Sequence, residues 1–134
     1  MMESFFEDLK EQDAECNAPA DERKLILNNR QLKENGFPEV PVPWFDLLKT
    51  ANGIWLDCAE IYGVRPDKEG FRDILSESQD VIWEHLDGGL LLGENEDDLL
   101  LFDGQKYLIV DKIGENIWHK TEDAETAARF ILKL

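Results

Sequence analysis

The sequence predicts an α+β domain, in which an antiparallel meander sheet of about four to six strands is flanked by N-terminal helices and a C-terminal helix. Three observations predict this class. In residues 1–53, apolar side chains recur at helical spacing behind prolines and polar capping residues. From Gly89 onward, short apolar runs alternate with polar turns. The chain closes with a stretch that is acidic at its start and basic at its end, as the helix dipole prefers.

Candidate capping residues mark where the predicted helices begin. Ser4 and Ser76 each stand three residues before a glutamate or glutamine, which is the spacing of a capping box. Pro19 and Pro43 fit the first turn of a helix, where a missing N–H does no harm, and Thr121 precedes the last helix. We therefore expect helices from Ser4 to about Glu15, from Pro19 to Gly36, from Pro43 to Gly53, a short one from Ser76, and one after Thr121.

Short apolar segments bounded by polar turns predict the strands. They lie at residues 54–56, 60–62, 90–92, 99–102, 107–110 and 117–118. Asp103-Gly104 is the strongest hairpin signal, because a type I′ turn needs positive φ at both central residues. The inner strands are apolar on both faces, so we expect helices to cover the second face. The residues expected to face the core include Val81, Ile82, Trp83, Leu86 and Trp118.

Composition bounds the class of protein. At 134 residues, with 43% apolar residues and four tryptophans, the chain fits one domain spanning residues 1–134. Its net charge of −16 argues against binding to nucleic acid or to anionic lipid. No apolar run approaches the roughly 20 residues of a membrane helix, and we expect the acidic N-terminal residues not to form a secretory signal. We expect a cytoplasmic protein in which Cys16 and Cys58 are ordinary thiols.

Most of the excess negative charge lies in two short segments. Residues 1–22 hold eight acidic residues and one basic residue, whereas residues 84–103 hold seven acidic residues and no basic one. The rest of the chain is nearly balanced. Like charges concentrated in this way repel one another, and a basic partner would relieve that repulsion. Solubility alone is the alternative reason for an acidic surface.

The second acidic segment contains an acidic quartet, Glu94, Glu96, Asp97 and Asp98, between two leucine runs. This arrangement predicts a turn between two strands, with the carboxylates in water. Asparagine, glycine, serine or lysine would serve a turn equally well, so the sign of the charge needs its own explanation. Two interpretations remain open: an acidic docking face, or solubility combined with protection of strand edges. A calcium loop needs ligands at alternate positions and a bending glycine, which this stretch lacks.

The sequence contains no motif for catalysis or cofactor binding. His85 and His119 stand in no motif with a serine or cysteine, and no G-x-S-x-G occurs. The glycines in residues 87–93 lack the spacing of a phosphate-binding loop. A glycosidase-type carboxylate pair would need a sugar-sized cleft between its members. We therefore expect no catalytic residue, no metal and no cofactor.

Two motifs occur in the order and spacing of a known family. The first is PWFDLLKTANGI followed by EIYGV, and the second is LLLGENEDDLLLFD. Together they resemble the signature of the SUKH superfamily, which includes fungal cell-wall-assembly regulators and bacterial toxin-immunity proteins. The likeness covers residues 37–134, preceded by a helical N-terminal segment at residues 1–36, and its loop after EIYGV is shorter than in many relatives. The matching residues are Pro43, Leu47, Leu48, Asn52, Gly53, Tyr62, Gly63, Gly93 and Asp98.

The resemblance implies a binding domain without catalytic residues, commonly one that neutralises a co-encoded toxin such as a nuclease. A nuclease presents a basic cleft to its substrate, so an inhibitor rich in carboxylates can occupy that cleft. The acidic quartet is the first candidate for contact with this basic partner. Trp55 is a candidate aromatic anchor, with core packing as its alternative. The alternative function is a regulatory or scaffolding module that binds a cellular protein.

Overall fold

The computed structural model describes residues 2–67, 69–80, 89–113 and 116–134, which form an α+β fold. The helices are α1 (Glu3–Glu11), α2 (Glu22–Glu34), α3 (Val42–Thr50), α4 (Ile74–Asp80) and α5 (Ala124–Leu132). The strands are β1 (Glu15–Cys16), β2 (Ile54–Leu56), β3 (Ala59–Ile61), β4 (Leu90–Glu94), β5 (Asp98–Phe102), β6 (Tyr107–Asp111) and β7 (Ile117–Thr121). The predicted fold class is confirmed, with seven described strands instead of four to six. The unexpected strand is β1, which no apolar run marks.

The seven described strands form one sheet in the order of the sequence. Each strand pairs antiparallel with the next one along the chain, including β3 and β4, between which α4 is inserted. β1 and β7 are the two edges of the sheet. The meander predicted from alternating apolar runs and turns is therefore present.

The core lies where helices cover the central strands. Almost every residue of β4, β5 and β6 is buried, which explains why these strands read as continuous apolar runs. α5 contacts strands β3 to β7, and α4 contacts β4. On α3, the fully buried ring of Trp44 lies 5.6 Å from the ring of Tyr107 in β6. No helix among the described residues is long and apolar enough to cross a membrane.

Aspartates cap α2, α4 and α5, and these helices do not begin where the sequence predicted. The capping residues are Asp21, Asp73 and Asp123. The sequence instead predicted that α2 begins at Pro19, that a capping box at Ser76 starts α4 and that Thr121 caps α5. Their carboxylates accept backbone N–H groups two or three residues further on, at 2.8, 3.1 and 2.8 Å respectively. A carboxylate also complements the positive end of the helix dipole. Ser76 and Thr121 also carry side-chain oxygens that could cap, and the pattern alone selected them for α4 and α5 instead of Asp73 and Asp123.

The capping box predicted at Ser4 is also wrong. α1 begins at Glu3 behind Met2 and has no side-chain cap. Ser4 lies inside the first turn, where its hydroxyl accepts a hydrogen bond of 3.4 Å from Nη2 of Arg129. The helix ends at Glu11, earlier than expected, because the chain then turns into β1.

The hairpin predicted at Asp103-Gly104 is present with a different turn. The N–H of Asp103 donates to the carbonyl oxygen of Lys106 at 3.1 Å, so Gly104 and Gln105 are the central residues. Gly104 has φ +99°, whereas Asp103 and Gln105 have negative φ, and the type I′ assignment is therefore wrong. The carboxylate of Asp103 accepts the N–H groups of Gln105 and Lys106 at 2.8 and 2.7 Å. The Asp-Gly pair marks this hairpin because aspartate closes the turn with its side chain.

Trp118 departs from its expected place in the core. It lies on the edge strand β7 and is 54% exposed. The β6–β7 pairing is irregular at this point, with Ile109 opposite His119 and Val110 opposite Ile117. The expected core residues Val81, Ile82, Trp83 and Leu86, together with His85, lie outside the described residues.

Candidate functional site

An open cleft of about 510 Å³ brings the two acidic segments of the sequence together. Asp8 and Glu11 of α1 line it from the first segment, and Glu96 of the β4–β5 turn lines it from the second. The turn between β2 and β3 adds Asp57 and Cys58. The fold therefore places carboxylates from three separate elements around one opening, which we call the acidic cleft.

Two basic side chains at the end of α5 partly neutralise the acidic cleft. Arg129 Nη1 lies 2.8 Å from Asp8 Oδ2, and its Nε lies 3.3 Å from Glu125 Oε2. Lys133 Nζ lies 3.9 Å from Asp97 Oδ2, and the lysine side chain is 60% exposed. Arg129 is thus committed to two carboxylates, while Lys133 makes one long contact in water. An exposed pair such as Lys133–Asp97 contributes little to stability, typically about 0–1 kcal/mol.

Three carboxylates of the acidic cleft keep their charge uncompensated. Glu11, Asp57 and Glu96 make no ion pair with any residue that the structure describes. Glu96 accepts a hydrogen bond from the thiol of Cys58, and this contact, with the charge of Glu96, raises the pKa of Cys58. The thiolate is the nucleophilic form of cysteine, and the contact with Glu96 disfavours that form of Cys58. Cys16 and Cys58 are both free, as expected.

Asn95 holds the β4–β5 turn in place, a role that the sequence analysis missed. Its Oδ1 accepts the N–H groups of Asp97 and Asp98 at 2.9 and 2.8 Å, and its Nδ2 donates to the carbonyl oxygen of Ile131 at 3.1 Å. The side chain is buried, with 3% of Asn95 exposed. The turn is thereby fixed to the end of α5, and it displays Glu96 and Asp97 to solvent.

The other two members of the acidic quartet are not in water, which corrects the expectation of an exposed turn. Glu94 is paired with Arg72 and lies 2.9 Å from Nζ of Lys112. Asp98 is buried and accepts a hydrogen bond of 2.9 Å from Nε1 of Trp118. Both residues belong to strands, since β4 extends to Glu94 and β5 begins at Asp98. Their partners come from distant parts of the chain, so the local sequence gave no sign of them.

Arg72 lies at the centre of a cluster of ion pairs that includes Glu94 of the acidic quartet. Besides Glu94, its guanidinium approaches Glu60 of β3 and Glu77 of α4, at 3.8 and 3.7 Å. The backbone N–H of Arg72 donates to Glu60 at 2.9 Å. Burial raises the pKa of both Glu60 and Glu77, and the nearby charge of Glu94 raises it further, whereas Arg72 opposes the shift. No pattern in the sequence marked this cluster.

Trp55 lies apart from the acidic cleft. Its ring stacks on Phe71 with the ring centroids 4.4 Å apart and the planes at 17°. A Cβ on Gly70 would lie 2.8 Å from the same ring, so glycine is needed for this packing. The cleft is lined by Leu56, the next residue along β2, whose side chain points to the opposite face of the sheet. The structure therefore places Trp55 in an aromatic stack, half-buried, and brings it to none of the acidic residues of the cleft.

The Asn-Gly and Tyr-Gly pairs of the resemblance meet in space and have structural roles. Asn52 is buried, and its side chain accepts the N–H of Val64 at 2.6 Å and donates to the Val64 carbonyl oxygen at 2.9 Å. Gly63 packs directly against this asparagine, since a Cβ there would lie 2.4 Å from the Asn52 carbonyl oxygen. Tyr62 is fully buried. These residues hold the chain segment that follows β3, and they are buried, so they offer no surface to a partner.

The remaining residues of the resemblance are also parts of the framework. Gly93 passes close to β3, where a Cβ would lie 2.6 Å from the carbonyl oxygen of Glu60. Gly53 has φ +116°, which favours glycine. Leu48 is buried in α3, and Pro43 is exposed in its first turn, one residue after the helix begins.

The described residues contain no cluster of candidate metal ligands, and His119 packs against an aromatic ring. No group of three or more histidine, cysteine, aspartate or glutamate side chains in the described ranges is placed to hold a metal ion. The ring of His119 stacks on Phe130 with centroids 4.7 Å apart. Its Nε2 is buried and makes no hydrogen bond to the described part of the chain. The geometry around His119 is therefore that of a packing residue.

The fold and the acidic cleft define an α+β protein with one antiparallel meander sheet and a concave acidic surface. Comparisons of the chain with protein-family models, with curated proteins and with solved structures find no significant match.

Proposed function

We propose that this chain is a non-catalytic binding domain that docks a basic protein at the acidic cleft. One observation carries the proposal: carboxylates from two segments that are distant in sequence line a single opening, and Glu11, Asp57 and Glu96 have no cationic partner among the described residues. Unpaired like charges raise the energy of the free protein, and a cationic surface would lower it. The thiol of Cys58 donates to Glu96 and the ring of His119 packs on Phe130, and these contacts are compatible with a binding role.

The partner we propose is a co-encoded toxin, with this chain as its cytoplasmic immunity protein in the SUKH superfamily. The order of the two sequence motifs supports the family, and the α+β meander agrees with it. A nuclease suits the charge, because it needs a basic cleft to hold phosphates and carboxylates can fill that cleft. Association steered by charge would be fast at low salt and would slow as salt is added.

The exposed pair Glu96 and Asp97 allows a test that leaves the framework intact. In the variant Glu96→Gln/Asp97→Asn, affinity for the product of the adjacent gene should fall by about tenfold at low salt. Its salt dependence should also flatten, as isothermal titration calorimetry at two salt concentrations would measure. Glu34→Gln/Glu39→Gln is the matched control, because it removes the same charge from exposed positions. Glu39 follows Pro38, which lies beside Gly104 at the opposite end of β5.

Growth of cells that express the neighbouring gene provides the functional readout. Co-expression of this chain should restore growth, and the Glu96→Gln/Asp97→Asn variant should restore it less well than the control. Equal affinity of both variants would refute docking at the cleft. A neighbouring product that is harmless, together with co-purification of a housekeeping protein, would replace the immunity role with the regulatory one.

A further inference from the structure

A groove lies on the other flank of α1. It has a volume of about 670 Å³ and runs between α1, α3 and the start of α5. The apolar residues of its floor are Met2, Phe6, Pro43 and Ala124. A neighbouring hollow of about 410 Å³ shares Met2, Phe6 and Thr50 and extends the surface along α1 to Lys10. Met2, Phe6 and Lys10 are four residues apart, so they form one stripe of the helix, distinct from the stripe that lines the acidic cleft.

The rim of this groove is acidic. The carboxylates that border it and its extension are Glu3, Glu7, Asp46, Asp123 and Glu125, against the single basic residue Lys10. Two of them already have partners: Asp123 caps α5, and Glu125 pairs with Arg129. Glu3, Glu7 and Asp46 make no ion pair within the described ranges. The surface thus combines an apolar floor with free negative charge.

We propose that this groove binds a basic amphipathic segment of the partner protein, with apolar side chains on the floor and lysine or arginine at the rim. This proposal rests on the proposed function and assigns it a second contact surface. Charge complementarity mainly speeds association, whereas apolar anchors in a groove slow dissociation. Methionine and phenylalanine form an adaptable apolar floor. Lysine and arginine suit the rim, because their aliphatic stems cover apolar surface while the charged ends reach carboxylates.

Two other occupants are disfavoured by charge. A second copy of the chain would bring another net charge of −16 against the acidic rim. An anionic lipid surface would be repelled in the same way. A basic segment relieves the repulsion among Glu3, Glu7 and Asp46, and an amphipathic one also covers Phe6.

The probe for this proposal is a synthetic peptide of about 14 residues, with leucine and lysine at helical spacing. A second peptide carries serine in place of leucine and has the same charge. The groove variant is Glu3→Gln/Glu7→Gln/Asp46→Asn, and the matched control is Glu22→Gln/Glu34→Gln/Glu39→Gln, which removes three exposed carboxylates elsewhere. Thermal unfolding of both variants first establishes that each is folded.

The leucine-lysine peptide should bind the groove variant about tenfold more weakly than the unaltered chain, while the control changes by less than about twofold. Met2→Ser should weaken binding of the leucine-lysine peptide and leave the serine-lysine peptide unaffected. Amide shifts in NMR spectra should map to residues 2–10 and 43–50.

If the two triple variants lose the same peptide affinity, the proposed groove site is wrong, because the peptide would then respond only to net charge. Absence of binding to the unaltered chain would overturn it as well. Shifts confined to residues 95–97 would reject the groove and leave docking at the acidic cleft intact. A different result would reject the proposed function: the peptide binds in the groove, but the variant Glu96→Gln/Asp97→Asn keeps its full affinity for the partner protein.

Discussion

Asn95 Nδ2 donates a hydrogen bond of 3.1 Å to the carbonyl oxygen of Ile131, and this contact joins the acidic turn to the end of α5. The same side chain accepts two backbone N–H groups of the turn. One buried amide therefore sets both the shape of the turn and its position beside the acidic cleft. Asn95 anchors the turn to α5, and the anchored turn places Glu96 at the cleft.

Replacing Asn95 by alanine should reduce the free energy of unfolding by about 2–3 kcal/mol. The substitution leaves the N–H groups of Asp97 and Asp98 and the carbonyl of Ile131 without partners, and buried polar groups are costly to leave unpaired. Urea unfolding followed by tryptophan fluorescence measures the change. Glu96→Ala is the control, with a loss below about 0.5 kcal/mol, because Glu96 is exposed. Similar losses for both variants would contradict the role assigned to Asn95.

The Trp118–Asp98 hydrogen bond should be measurable by a double-mutant cycle. Trp118→Phe keeps a ring against Phe130 and removes the Nε1 donor, so buried Asp98 loses a partner at a cost of about 1–2 kcal/mol. In a chain that already carries Asp98→Leu, the same change should cost little. The expected coupling is about 1 kcal/mol. A coupling indistinguishable from zero in chemical denaturation would show that Trp118 is held only by packing.

Gly93→Ala should destabilise the sheet strongly, by about 2 kcal/mol or more, because the added methyl group would lie 2.6 Å from the Glu60 carbonyl oxygen. The strands β3 and β4 would have to separate at this point. Gly36→Ala is the comparison: nothing lies within 4 Å of its Cβ, and φ is +83°. Its cost of about 1 kcal/mol comes from backbone conformation alone. Thermal unfolding should therefore rank Gly93→Ala as the more damaging change.

The parts of the fold that depend on local pattern were predictable from the sequence. The apolar runs of β4, β5 and β6 are long and well separated by turns, so their strands and their order followed directly. Helix starts were less predictable, since Asp73 and Asp123 compete with Ser76 and Thr121 for the capping position, and α2 begins after Asp21 instead of at Pro19. β1 has two residues and little apolar content, and it is a strand only because β2 lies beside it.

The candidate site was predictable in its charge and unpredictable in its geometry. The sequence located the acidic quartet, but the partners of Glu94 and Asp98 lie on other elements, at Arg72 and Trp118. Periodicity marks the face of one element and does not tell which faces meet. The convergence of Asp8 with Glu96 at one cleft depends on how α1 packs beside the sheet. Composition therefore predicted that the surface charge is negative. The shape of the cleft depends on tertiary packing and could not be predicted from composition.

Mild acid should stabilise this protein through Glu60 and Glu77. Burial raises the pKa of both carboxyls above the unfolded value of about 4.3. A raised pKa in the folded state means that protonation favours folding. The associated stability is complete below the unfolded pKa and is lost as pH rises through the folded pKa.

The unfolding midpoint, measured by thermal denaturation, should therefore rise as the pH is lowered from neutral toward the unfolded pKa of about 4.3. Glu77→Gln should raise the midpoint at neutral pH and flatten this rise, because the neutral side chain no longer has to be protonated. Glu34→Gln is the control, since Glu34 is exposed on α2. This change should leave the dependence of the unfolding midpoint on pH nearly unchanged. If Glu77→Gln keeps the full slope, the burial of Glu77 beside Glu94 is not the source of the pH dependence.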